Sequence, residues 1–226
     1  IGDGYWDCPS YPVVSLYCNL YYYKALQGMQ YLEKMVAESG IEESGETITV
    51  KTADMKNSVD YAETAESLGE KITAFVPKFQ EYFWNEETGR FHLGYLPETD
   101  KGVEAGVLDT VVDYGFTTYN EEAIELGLAT EEQAESIMAW INGERTVEGD
   151  TADNSSRSKQ IYFYQFAPRW NTKENVYQFW FRFEGKRTGP YGWNKQVQNG
   201  GTAAHCAYYD MVAENEVNGS DAAFTK

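Results

Sequence analysis

Two acidic side chains stand in settings that could do chemistry. Asp7 follows Tyr5 and Trp6, whose rings could desolvate its carboxyl, raise its pKa and offer a flat apolar face beside it. Asp113 lies in the run Val112-Asp113-Tyr114-Gly115-Phe116, just ahead of a helical stretch where backbone N–H donors could bind its carboxylate. Two carboxyl groups suffice to hydrolyse a glycosidic bond: one protonates the departing oxygen, and the other activates water or attacks carbon. Their separation, about 6.5–9.5 Å for inversion and about 5–5.5 Å for retention, is set by the fold. Glu98, Asp100, Glu104 and Asp109 share the loop before Asp113 and are further candidates for the water-activating group. Plainer roles stand beside these: Asp7 as a helix cap or a partner for a sugar hydroxyl, and Asp113 as a loop anchor.

A saccharide also needs a surface to grip. Trp193 precedes Gln198-Asn199-Gly200-Gly201, and Tyr5 with Trp6 sits at the other end of the chain. Indole and phenol rings supply flat apolar area, amides supply fixed donors and acceptors for vicinal hydroxyls, and the glycines allow close backbone approach. Core packing for the rings and self-satisfied loops for the amides are equally open. Asp150, in Gly149-Asp150-Thr151, reads as a turn residue or a substrate contact. Arg169, after Pro168 in an aromatic setting, suits a buried ion pair or the bracing of a catalytic carboxylate.

Bulk properties narrow the partners. The net charge of −18 disfavours polyanions, whose phosphates demand clustered Lys and Arg, so nucleic acid is excluded as a partner. Basic residues concentrate in 157–195, which holds eight Lys/Arg against two acids and twelve of the chain's aromatic rings. No run of about 18 apolar residues exists, so no membrane span is expected. Cys8, Cys18 and Cys206 have neither metal spacing nor an even disulfide count, and His92 and His205 lack companion ligands. No metal and no cofactor is expected, and phosphate-loop, dinucleotide and nucleophile-elbow motifs are absent. Localisation stays open between secreted or periplasmic and cytoplasmic. The opening Ile1 and the closing stretch after Ser220 suggest a piece of a longer chain.

The elements that must position these residues are mainly helical. Val14, Cys18, Tyr21, Ala25, Met29, Leu32 and Val36 recur at the spacing of one helical face. Residues 39–58 look like an exposed loop or short hairpin. Tyr61, Ala65, Leu68, Ile72, Phe75, Phe79 and Tyr82 mark a second helix, ended by the turn 84–90 and followed by a short strand over Phe91–Leu96. Asn120 with Glu121 and Glu122 suggests a capped helix ending near Gly127. Thr130 with Gln133 forms a capping-box pattern for a helix closed by Asn142-Gly143. Extended segments and loops are expected over 150–200, and a last helix over Ala203–Glu214. Residues 1–226 are read as one domain, an α-hairpin array with short β excursions.

Taken in order, these motifs resemble the six-hairpin glycosidase group, bacterial enzymes built on an (α/α)6 toroid. The likeness rests on Tyr5-Trp6-Asp7 leading into a long aromatic helix, on Val112–Phe116 followed by Asn120, Ala123 and Gly127, on Gly149-Asp150-Thr151, on Phe166-Ala167-Pro168-Arg169, and on Trp193 with Gln198–Gly201. It extends over most of residues 3–224. The resemblance implies a funnel-shaped cleft at one end of the inner helices that accepts a glycoside, and hydrolysis with inversion. The chain departs from it in having too few helices to close a toroid, so that it would supply part of one, and in the insert 152–159. The expected activity is therefore hydrolysis of an oligosaccharide or plant-derived glycoside. Its rivals are a noncatalytic helical carbohydrate-binding protein and a toroid interaction domain that has lost activity.

Overall fold

The computed structural model describes residues 14–39, 48–51, 58–61, 63–96, 110–151, 169–174, 193, 200–201, 204 and 206–226. Among these residues the chain is mainly helical, as expected, with three short antiparallel strand pairs. Its contacts group into two compact units, residues 21–78 and residues 1–20 with 79–226, whose boundaries fall within the first two helices.

In the smaller unit, α1 (Leu16–Glu38) buries Tyr23 and Leu26 from its later turns. The stripe picked out by periodicity, from Tyr21 through Ala25, Met29 and Leu32 to Val36, instead faces outward. Of the loop and the short hairpin open to residues 39–58, a hairpin forms, β1 (Ile48–Lys51) against β2 (Ser58–Tyr61), and its second strand takes Tyr61, which periodicity assigns to the second helix. The second helix, α2 (Ala65–Phe83), buries Leu68, and its Phe75 ring meets Tyr22 and Tyr23 at 5.7 and 5.5 Å.

In the larger unit α2 ends in a tight hairpin, β3 (Trp84–Asn85) with β4 (Arg90–Phe91). The turn closes because Asn85 Oδ1 accepts from Glu87 N at 3.0 Å and Gly89 takes φ +59°, a left-handed conformation glycine adopts without a Cβ penalty. Next, β5 (Gly94–Leu96) pairs with β6 (Thr110–Val112), while Leu16 N donates to Leu93 O at 2.8 Å and ties the start of α1 to this edge. Three helices then pack on one another: α3 (Thr117–Glu125), α4 (Glu131–Ile141) and α5 (Cys206–Asn218). Ala123, Ile137, Met138, Ile141, Cys206 and Ala213 are among the residues they bury.

The capping box at Thr130 and Gln133 forms on both sides, and Asn142 caps the other end of α4. Asn120, however, does not cap α3. The helix begins three residues earlier, after Phe116, and places Asn120 in its interior, fully buried. There its amide accepts from Phe91 N at 2.8 Å and donates to the carbonyls of Phe91 and Phe116 at 3.1 and 2.8 Å. A cap signal and a buried amide bridge use the same residue type, and the partners 29 residues away decide between them. The last helix begins at Cys206 rather than Ala203 and runs past Glu214 to Asn218. The closing stretch is also helical, as α6 (Ser220–Thr225).

Candidate functional site

The described motif segments meet in one loop cluster of the larger unit, stitched together by residues 169–174. Thr172 N donates to Gly115 O at 3.0 Å, and Lys173 N to Tyr114 O at 3.0 Å. Thr117 N donates to Trp170 O at 3.0 Å, Thr151 N to Thr172 O at 2.9 Å, and Trp170 N to Gly201 O at 2.8 Å. Segments near residues 115, 150, 170 and 200 are thereby fastened to a single stretch of backbone. Below them the rings of Phe116, Tyr119 and Trp170 pack at 5.4–5.8 Å between centroids.

At the centre is Arg90, a residue that neither motif nor spacing singled out. It is 1% exposed. Its Nε donates to both oxygens of Asp113 at 3.1 Å, while Nη1 and Nη2 each donate to one oxygen of Asp150 at 2.8 Å. Nη1 also reaches Thr172 Oγ1 at 3.2 Å, and the guanidinium carbon lies 4.5 Å over the Trp140 ring. Trp140 Nε1 donates to Asp150 Oδ2 at 3.2 Å. A planar guanidinium matches two carboxylates on different edges, which the point charge of a lysine cannot do. Burial works against the Arg90 charge, but Asp113 and Asp150 outweigh it and hold its pKa above the ordinary arginine value.

The hairpin that carries Arg90 is itself braced. Arg145 donates to the carbonyls of Thr88 and Gly89 at 2.9 and 2.8 Å and to Ser136 O at 2.8 Å. Burial, and then repulsion from Arg90, lower its pKa. On the other side Gly115 N donates to Asp113 Oδ1 at 2.9 Å, and Gly115 has φ +62°. A Cβ there would overlap Thr172 Oγ1 and press on Arg90 Nη1, so close approach as well as chain conformation requires glycine. His92 is buried beside this network. Its Nδ1 accepts from Gly94 N at 3.0 Å, and burial lowers its pKa against the pull of Asp113. Its ring packs against those of Phe83 and Tyr95, at 6.0 and 4.8 Å between centroids.

The second half of the cluster holds Arg169 and Trp193. The Arg169 guanidinium lies 5.2 Å from the Trp193 ring centroid, and its Nη1 donates to Gly200 O. Gly200, at φ +88°, donates its N–H to Asn171 Oδ1 at 2.8 Å. Its missing Cβ leaves room for the indole, whose ring carbons would otherwise stand 2.7 Å away. Trp193 is half-buried and Arg169 buried.

Asp113, Asp150, Arg169 and Trp193 are thus placed, the first two on one guanidinium and the second two on each other. Tyr5, Trp6, Asp7, Gln198 and Asn199 lie outside the described residues, as do the loop acids Glu98, Asp100, Glu104 and Asp109. Sequence reasoning missed Arg90, Trp140, Asn171 and Thr172. The only available signal for Arg90 was a charge set between a turn glycine and Phe91 at a helix-to-strand corner.

Chemically, the cluster presents two anchored carboxylates, an indole and an arginine within glycine-rich loops. Among the described residues no group of three or more His, Cys, Asp or Glu could hold a metal ion, and no helix is long and apolar enough to cross a membrane. Comparison with protein-family models, with curated protein sequences and with solved structures finds no match to this chain.

Proposed function

We propose that this chain is a segment of a glycoside hydrolase, part of an (α/α)6 toroid, with its saccharide bound at the loop cluster around residues 113–117, 150–151, 169–174 and 193–201. The observation that carries this is the convergence of motifs up to about 90 residues apart in sequence on one backbone segment. Trp193, gripped by Arg169 and Gly200, supplies a fixed ring face for a sugar. Gln198 and Asn199, next in the chain to Gly200, supply hydroxyl partners, and Tyr5 and Trp6 supply further ring surface.

In this mechanism Asp7 is the acid. It gives its proton to the glycosidic oxygen as the bond to the anomeric carbon breaks. Asp113 takes a proton from the water that attacks that carbon from the opposite face, which inverts the configuration. Arg90 positions Asp113, and Asp150 completes the charge balance of the guanidinium. No cofactor takes part.

One observation favours a second reading, a noncatalytic helical carbohydrate-binding protein. Asp113 and Asp150 spend their hydrogen bonds on Arg90, as carboxylates of a structural ion network do. The two readings separate in a turnover assay on a panel of aryl glycosides and unmodified oligosaccharides. The catalytic reading expects hydrolysis by the wild type and a loss of about 10²–10⁴ in rate for Asp7→Asn, with binding retained. Saccharide binding without turnover would leave the binding protein, and an absence of both would refute each.

A further inference from the structure

A second set of reactive side chains comes together away from the loop cluster, where α4, α5 and α6 meet. Lys226 follows α6 and places Nζ 2.7 Å from Asp210 Oδ1 and 2.5 Å from Glu214 Oε2. Asn142, which caps α4, donates its Nδ2 to that same Oε2 at 2.9 Å. Asp210 and Glu214 stand one helical turn apart on α5 and are buried, and the Lys226 side chain is only 11% exposed. Asn218 donates to the other oxygen, Glu214 Oε1, at 2.8 Å, which fixes the edge of the carboxylate that faces Lys226 and Asn142.

An amine and a primary amide held on one carboxylate oxygen are the reactants and the proton carrier of an amide exchange. A lysine amine is a nucleophile once it has lost a proton, and an adjacent carboxylate can take that proton and hand it to a leaving group. A structural ion pair needs one acid for its lysine. This site supplies two, and a carboxamide besides.

We propose that Lys226 and Asn142 become joined by an isopeptide bond, with Glu214 as the proton carrier. The Nζ ammonium gives one proton to Asp210, which keeps it, and a second to Glu214 Oε2. The amine attacks Asn142 Cγ, and the bond from Cγ to Nδ2 breaks as Glu214 passes its proton to the departing nitrogen. Ammonia leaves, and the new amide keeps the third hydrogen of Nζ. Asp210 and Glu214 are left sharing one proton, as close carboxylates do. No oxidant or co-reactant is consumed. Folding supplies the placement: Asn142 N is bonded to Met138 O at 2.8 Å, and Gly219 N to Asn215 O and Ala223 N to Gly219 O at 3.1 Å, so the groups are brought together before they react. Asn218 is not the acceptor, because it sits on the other oxygen and is exposed. The bond ties the end of α4 to the residue after α6 with a link that reductants do not open. The proposal is independent of the glycosidase reading, since none of these residues belongs to the loop cluster.

The mass of the folded full chain, on isolation and through days of incubation at mildly alkaline pH, tests it. The wild type is expected to fall by the mass of one ammonia, and peptide mapping to find one branched peptide joining Asn142 to Lys226. Among variants first shown to be folded by circular dichroism, Glu214→Gln is expected to slow the loss by about 10²-fold or more. Lys226→Arg, which keeps the charge, is expected to abolish it. Cyclisation of Asn142 onto the nitrogen of Gly143 also sheds ammonia, but it yields no branched peptide, persists in Lys226→Arg and runs faster in guanidinium, where the isopeptide does not form. A wild type that keeps its full sequence mass, an ammonia loss indifferent to Lys226, or a branch at Asn218 overturns the proposal.

Discussion

Arg90 shows how one side chain can set the character of a site. Its guanidinium is bonded to Asp113, Asp150 and Thr172 in a setting nearly closed to water. Removing it would leave two partly buried carboxylates facing each other without a counter-charge. Arg90→Met is therefore expected to cost about 3–5 kcal/mol, read from urea unfolding midpoints. Arg90→Lys should recover only part of this, because an ammonium cannot engage Asp150 with two parallel bonds. Gly115→Ala adds a Cβ in a left-handed conformation and against Thr172. The conformation alone costs about 1–3 kcal/mol, and a loss smaller than that would mean the loop relaxes.

His92 gives the residue scale its pH dependence. Burial lowers its pKa below the ordinary histidine value of 6.5, and Nδ1 must stay unprotonated to accept from Gly94 N. The unfolded chain binds this proton more readily than the folded one. The contribution of His92 is thus present above the unfolded value and is lost as pH falls from about 6.5 toward the folded pKa. Thermal midpoints should drop between pH 7.5 and 5.5, and His92→Gln should flatten that slope. An unchanged slope in the variant would assign the titration elsewhere.

At the scale of elements, what could be read in the sequence depended on how local its cause was. The capping box at Thr130 and Gln133 involves groups three residues apart, so its pattern is visible in the chain and it forms. Thr130→Ala is expected to cost about 1 kcal/mol, measurable by thermal unfolding. Gly127, Gly143 and the turn after α2 were legible for the same reason, whereas the single strand expected over Phe91–Leu96 is split between β4 and β5, which pair with different partners. Asn120 was not. Its type and neighbours fit a helix start, and only the Phe91 backbone, brought close by the strand at β4, makes it an interior bridge. The long apolar stripe of α1 was legible as a helix face, but periodicity alone does not say which face a helix buries. Tyr23 and Leu26 turned inward, and Met29 and Leu32 did not.

The candidate site was legible in part. The glycines at 115 and 200 and the acids at 113 and 150 were singled out, and they converge. Arg90, which joins the two acids, lies 23 residues from one and 60 from the other. An ion network assembled over such separations leaves no spacing to detect.

At the scale of the whole molecule, the acid limb of stability has a second source at the far end of the chain. Glu214 is buried, which raises its pKa, but Lys226, Asn142 and Asn218 outweigh burial and bring it below the usual glutamate value. Its contribution is present above about pH 4.5 and is lost as pH falls through the folded pKa. Lys226 also binds Asp210 at 2.7 Å, so the network fastens α6 to α5. Lys226→Met should lower the thermal midpoint at pH 7 and make it less sensitive to acid.

Both the hydrolase and its binding-protein rival require a saccharide at the loop cluster, so binding is the decisive quantity. The most direct measurement is a titration of tryptophan fluorescence, backed by calorimetry, with oligosaccharides of different linkage against the wild type and Trp193→Ala. The account predicts a saturable signal with at least one saccharide class, weakened by tenfold or more, about 1.4 kcal/mol, when Trp193 is removed. A folded wild type that binds no saccharide, or one whose affinity is indifferent to Trp193, would contradict it.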